Sequence, residues 1–171
     1  LASHDPLTGL PNRSHFHERL QRALHATGSE RHPIALIYID LDGFKGVNDR
    51  HGHEMGDRLL QAVAERIRNG VRHSDTIARL GGDEFVVMLN GTSRTADAVN
   101  VGETLRKALS QPFQLDDHAI RISASIGIAL HRNDDEGGNR LLQQADKAMY
   151  AAKRGGGNRF VQFPFDEPWT V

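Results

Sequence analysis

The stretch Ile34-Ala35-Leu36-Ile37-Tyr38-Ile39 is apolar without a break and ends at Asp40. A strand with one wet face alternates apolar and polar residues, so a continuous run fits a central strand covered on both sides. Any fold for this chain must place a layer above that strand and another below it. Helical candidates surround it. Residues 14–26 carry Phe16, Leu20, Ala23 and Leu24 at three- and four-residue spacing. Residues 54–70 repeat Met55, Leu59, Val63 and Ile67 every fourth position, with Leu60 beside them. Residues 95–109 give a weaker helix, and residues 140–153 another, stopped by Gly155-Gly156-Gly157.

Two short strands, 76–80 and 85–89, flank Gly81-Gly82, a pair suited to a tight hairpin. Residues 120–130 alternate and read as a strand, and residues 159–163 as a last short one. The order is helix, strand, helix, hairpin, helix, strand, helix, strand. It predicts an α+β fold, a central mainly antiparallel sheet flanked by helices. The chain has 171 residues, 38% of them hydrophobic. That suits one domain over residues 1–164 with a tail or linker remnant at 165–171.

Charge and composition narrow the function. Lys and Arg total 21 against 22 Asp and Glu, so no basic field exists for a nucleic-acid backbone. There is no Cys, which removes disulfides and thiolate metal sites. No apolar run approaches the roughly 20 residues of a membrane span. The N-terminal residues lack the pattern of a signal peptide. The absence of an initial Met suggests a piece of a longer protein. We expect a cytoplasmic module without membrane contact of its own, fused to sensory or effector domains.

Acidic residues mark the candidate site. Asp40 closes a strand too apolar to welcome it, and Asp83 and Glu84 sit at the hairpin tip. If the hairpin pairs beside the first strand, these carboxylates converge and repel. A divalent cation relieves that conflict, and hard oxygen donors point to Mg²⁺ rather than zinc. Read without that pairing, the same residues are ordinary turn acids and a strand cap. In the segment 40–49, Lys45 offers a point charge for a phosphate. Asn48, with Asp57 further on, can meet a guanine edge. That segment also reads as a plain polar loop before a helix. The histidines do not form a ligand set: His15 and His17 lie on different faces of one helix, and His51 and His53 flank a glycine.

Arg79-Leu80-Gly81-Gly82-Asp83-Glu84-Phe85 carries the signature of the GGDEF domains. Asp5-Pro6-Leu7-Thr8-Gly9-Leu10-Pro11-Asn12-Arg13 resembles the opening segment of that family. Residues 40–49 resemble its metal and substrate loop, and Gly52-His53-Glu54-Met55-Gly56-Asp57 the element that follows. Ser125–Ala129 and Ala145–Lys153 resemble its last strand and helix. The agreement covers roughly residues 4–163.

The resemblance implies a fold related to the nucleotide-cyclase and polymerase palm architecture. It also implies a diguanylate cyclase that condenses two GTP into cyclic di-GMP and two pyrophosphates, acting as a homodimer. By analogy Asp40, the Leu41 carbonyl, Asp83 and Glu84 hold Mg²⁺, with Mn²⁺ as an alternative. Asp83, Glu84 and Lys45 form the catalytic set, with Asp83 helping to deprotonate the attacking hydroxyl. Phe44, Lys45 and Lys153 approach the phosphates, and Asn48, His53 and Asp57 line the guanine and ribose pocket. Gly81 and Gly82 keep the turn clear of side chains. Arg72 and Asp75 match an Arg-x-x-Asp motif for inhibition by the product. The family often carries Gly-Arg-Asn after the last helix, where this chain has Gly156-Gly157-Asn158. The competing readings are a sensor that binds GTP or cyclic di-GMP without turnover, and a dimerisation scaffold.

Overall fold

The apolar run forms the middle strand of a five-stranded sheet in the computed structural model, which describes residues 2–26, 31–131 and 138–166. Among the described residues, twelve elements follow one another: α1 (Arg13–His25), β1 (Ile34–Asp42), α2 (Phe44–His51), α3 (His53–Asn69), β2 (Thr76–Gly81), β3 (Glu84–Asn90), α4 (Thr95–Leu109), β4 (Phe113–Leu115), β5 (His118–Ile120), β6 (Ser123–Leu130), α5 (Gly138–Arg154) and β7 (Arg159–Gln162). The sheet order is β2-β3-β1-β6-β7. Every neighbouring pair is antiparallel except β6 and β7, which run parallel. The expected α+β architecture is therefore present, with a mixed, mostly antiparallel sheet.

Both faces of β1 are covered, as its composition requires. Ala35, Ile37, Ile39 and Leu41 pack in one layer with α3 and α4, through Leu59, Val63, Ile67, Leu105 and others. Ile34, Leu36 and Tyr38 pack in the opposite layer with Phe16 and Leu20 of α1 and Leu141, Ala145 and Met149 of α5. Side chains alternate along a strand, so the even positions continue on the α1/α5 side to Asp40 and Asp42. α5 lies very close to the sheet at Gly127, where a methyl group would stand 2.0 Å from the Ala145 carbonyl oxygen.

Three details differ from the sequence reading. Residues 44–51, in a stretch where the sequence reading placed no helix, form α2, a separate short helix between Gly43 and Gly52. The strand expected over 120–130 is two: Ile120 ends β5, and β6 begins at Ser123. β4 and β5 make a small hairpin of their own, turning at Asp116 with φ 52°. Arg58 of α3 pairs with the Asp116 carboxylate and ties that hairpin down. At the end of the domain, Phe163 packs on the α1/α5 layer and meets the Phe165 ring at 6.2 Å. Trp169 lies outside the described residues.

Candidate active site

The site sits where β1, the β2–β3 hairpin and the end of α5 meet. Register puts it there. Asp40 on β1 stands opposite Glu84 on β3 and opposite Ser125 on β6. The Leu41 amide donates to the Asp83 carbonyl at 3.2 Å, which draws the hairpin tip to the end of the central strand. The tip turns through Gly81 at φ 144° and Gly82 at φ 48°, backbone states that favour glycine. Added methyl groups would meet nothing within 4 Å at either glycine, so the ground above the turn is open.

The turn is clasped from below. Arg79 donates to the Gly82 carbonyl through Nε at 2.9 Å and Nη2 at 2.7 Å, and through Nη1 to Asp5 at 2.9 Å. Asp5 also accepts from the Thr8 amide and hydroxyl. Burial would raise the Asp5 carboxyl, but the Thr8 hydrogen bonds and the Arg79 charge outweigh it and hold the group below its usual range. The opening segment is thus a brace for the signature hairpin.

Electrostatics show what this edge lacks. Burial, and then the nearby Asp40 charge, raise Asp83 above the usual carboxylate range. Glu84 is raised by burial, then by Asp40 and Asp146. One cation is already present: Lys153 of α5 bonds its ammonium to Asp40 Oδ1 and lies 3.5 Å from the Leu41 carbonyl oxygen. Burial opposes that charge, but Asp40 and Asp42 outweigh it and raise Lys153. The ammonium therefore stands where two of the expected metal donors face a common point. Among the described residues, no group of three His, Asp or Glu side chains closes a metal site by itself. The donors fit a hard cation that takes part of its oxygen shell from a phosphate ligand.

Asp42 has a different task. It accepts from the Ser123 and Ser125 hydroxyls, both at 2.7 Å, and from the Asn158 amide at 2.9 Å. These bonds, with Lys153, hold its carboxyl low although burial would raise it. The sequence offered one signal for this role: a second acid two residues after Asp40, hence on the same face. Asp42 also bears on the missing arginine of the Gly-Arg-Asn pattern. A methyl group at Gly157 would lie 2.9 Å from Asp42 Oδ2, so the backbone here closes directly on the carboxylate. Arg159 instead folds back on this run, donating through Nε to the Gly157 carbonyl at 3.0 Å.

The remaining expected residues lie on the α2–α3 corner. Phe44 and Asn48 face Gly56, where a methyl group would be 1.8 Å from Asn48 Oδ1 and 3.4 Å from Phe44 Cζ. Asn48 Oδ1 is the buried side-chain atom without a hydrogen-bond partner among the described residues. Lys45, His53 and Asp57 are exposed near the starts of the two helices.

Arg72 and Asp75 stand apart from this edge, in the loop before β2. Asp75, with its side chain 2% exposed, accepts from the Arg72 amide at 3.0 Å and the Asn90 amide at 3.2 Å. The Arg72 guanidinium is 63% exposed and donates to the Asn90 carbonyl at 2.9 Å. Asp75 shapes the loop, and Arg72 faces out. Beside them opens a cleft of about 510 Å³ lined by His4, Arg19, Arg68, Arg72 and His73 among others.

These features define a class: an α+β domain whose sheet ends in an acidic edge, shared by a lysine, beside an open glycine turn. Residues 2–159 match the family described as diguanylate cyclase, GGDEF domain, and the chain belongs to that family. It is 50% identical over 163 residues to the bifunctional diguanylate cyclase/cyclic di-GMP phosphodiesterase MucR of Pseudomonas aeruginosa, covering 95% of this chain and 24% of MucR. The chain spans about a third or less of the curated relatives MucR and the diguanylate cyclase TpbB, 24% and 35% of their lengths. The solved GGDEF domain of TpbB from Pseudomonas aeruginosa superposes with a TM-score of 0.87 at 42% identity, with 93% of each chain covered. The GGDEF domain of DgcB from Caulobacter crescentus, solved in complex with cyclic di-GMP, gives 0.85 at 32% identity, covering 95% of this chain and 96% of that one. No helix among the described residues is long and apolar enough to cross a membrane.

Proposed function

We propose that this domain is an active diguanylate cyclase. Two copies face each other about a two-fold axis, each holding one GTP. The 3′-hydroxyl of each GTP attacks the α-phosphate of the other. One P–O bond forms and one breaks in each half, the hydroxyl proton passes to a base, and pyrophosphate leaves twice. The observation that carries this reading is the register that sets Asp40 opposite Glu84 and ties Leu41 to Asp83 at one sheet edge.

Phosphoryl transfer depends on positioning and charge neutralisation more than on covalent help. Asp40, the Leu41 carbonyl, Asp83 and Glu84 would hold Mg²⁺, or Mn²⁺, which would neutralise phosphate charge and ease loss of the hydroxyl proton. Asp83, raised by burial and by Asp40, is suited to accept that proton. Lys153 and Lys45 meet the triphosphate, and Phe44 flanks it. Asn48, His53 and Asp57 take the guanine and ribose, the unpartnered Asn48 oxygen awaiting a donor on the base. Gly81 and Gly82 leave the turn open to the phosphates. Arg72, exposed above a cleft rich in arginine and histidine, together with Asp75 forms an inhibitory site for cyclic di-GMP. DgcB, solved with that dinucleotide, supports the ligand class.

Incubating the domain with GTP and Mg²⁺ should yield cyclic di-GMP at a specific rate that rises with protein concentration. Asp83→Ala should abolish the product while the domain stays folded. Tight binding of GTP or cyclic di-GMP without product would replace this reading with that of a sensor module.

A further inference from the structure

Tyr38 is the odd member of its strand. Ile34 and Leu36 enter the α1/α5 layer as plain hydrocarbons, whereas Tyr38 carries a hydroxyl into it and is only 4% exposed. A buried phenol needs a partner for that group. Tyr38 stands opposite Val86, two positions from the Asp40–Glu84 pair. Residues two apart project from the same face, so Tyr38, Asp40 and Glu84 share one side of the β1–β3 ladder. The hydroxyl lies close enough to the Glu84 carboxylate for the two to interact. On its other flank Tyr38 faces Gly127, where α5 presses against the sheet. Above it lies a narrow cleft of about 220 Å³ between α1 and α5, lined by Arg13, His17, Tyr38, Leu142, Gln143 and Asp146.

We propose that Tyr38 is a positioning residue for Glu84: its hydroxyl holds one carboxylate oxygen from beneath the hairpin and leaves the other turned toward the cation shared with Asp40. This rests on the cyclase reading given above and adds a residue that the signature does not contain. Glu84 sits near three other acidic side chains, Asp40, Asp83 and Asp146, whose charge disfavours its carboxylate. The neutral phenol can hold it there without adding charge. Asp40 belongs to the cation site itself, so Tyr38 is the support that lies outside the ligand set.

The test is calorimetric titration of the domain with Mn²⁺ in the presence of GTP, with no turnover required. Tyr38→Phe removes a single oxygen and keeps the ring. It should weaken Mn²⁺ binding about tenfold, the scale of one hydrogen bond to a charged group, with the Tm not lowered. In a Glu84→Gln background the same change should have no further effect. Unchanged affinity in Tyr38→Phe, or an equal loss in both backgrounds, overturns the proposal. A parent domain that fails to bind Mn²⁺ with GTP overturns the cyclase reading itself, and this inference with it.

Discussion

Gly56→Ala offers a direct probe of the nucleotide pocket, because it acts on Asn48 without altering Asn48. The new methyl group would lie 1.8 Å from Asn48 Oδ1 and 2.9 Å from its Cγ, against an ordinary contact of at least 3.4 Å. The carboxamide must therefore retreat by about 1.6 Å, more than enough to break a hydrogen bond to a base. Gly56 is helical and lies inside α3, where alanine is favoured over glycine by about 0.5–1 kcal/mol. That gain offsets part of the local strain, so the Tm should change little. Losing one or two hydrogen bonds of about 1–1.5 kcal/mol each predicts a rise in the KM for GTP of roughly 10–100-fold. Steady-state kinetics over a range of GTP concentrations, with a thermal melt on the same sample, decides the matter. A KM within twofold of the parent would refute the placement of guanine at Asn48. So would a large KM effect in Gly56→Ala with none in Asn48→Ala.

Three other outcomes are expected. Arg72→Ala should relieve inhibition by added cyclic di-GMP and leave the initial rate unchanged; an unaltered inhibition curve would remove the regulatory role of that loop. Gly157→Arg should not restore a family-like enzyme but should lower stability by about 1–2 kcal/mol, since the residue sits at φ 74° against the Asp42 carboxylate; chemical denaturation would show it. Asp5 has its carboxyl held below 3.8 in the folded state, so its stabilising contribution is complete above that value and disappears as the pH falls through the lowered one. Asp5→Asn should therefore flatten the acid side of the stability profile below about pH 4, measured by melts in a pH series.

Much of the fold could be read from the residues, and the reasons are physical. β1 declared itself because burial on both faces leaves no charged position in it before Asp40. α3 and α5 did so because each carries a full apolar stripe. α2 escaped notice because it buries only Val47 and is bounded by two glycines, so no periodicity can build up in eight residues. The β4–β5 hairpin was hidden because its strands are three residues long and its turn places Asp116, not glycine, at positive φ. At the site, the acids were visible as misfits, but their meeting depended on strand register, which no local pattern supplies. Tyr38 passed for one more apolar residue of a buried strand. Asp42 looked like part of a loop, and its two serine partners lie more than 80 positions away.

The lysine at the end of α5 has a consequence for how the site fills. An ammonium lodged between Asp40 and the Leu41 carbonyl already balances part of the negative charge there. A lone metal ion would have to evict it and leave it stranded beside its rival. A metal arriving with a triphosphate brings the evicted group a new companion in the same move. On the proposed cyclase reading, loading would then be concerted, and bare ions would be turned away.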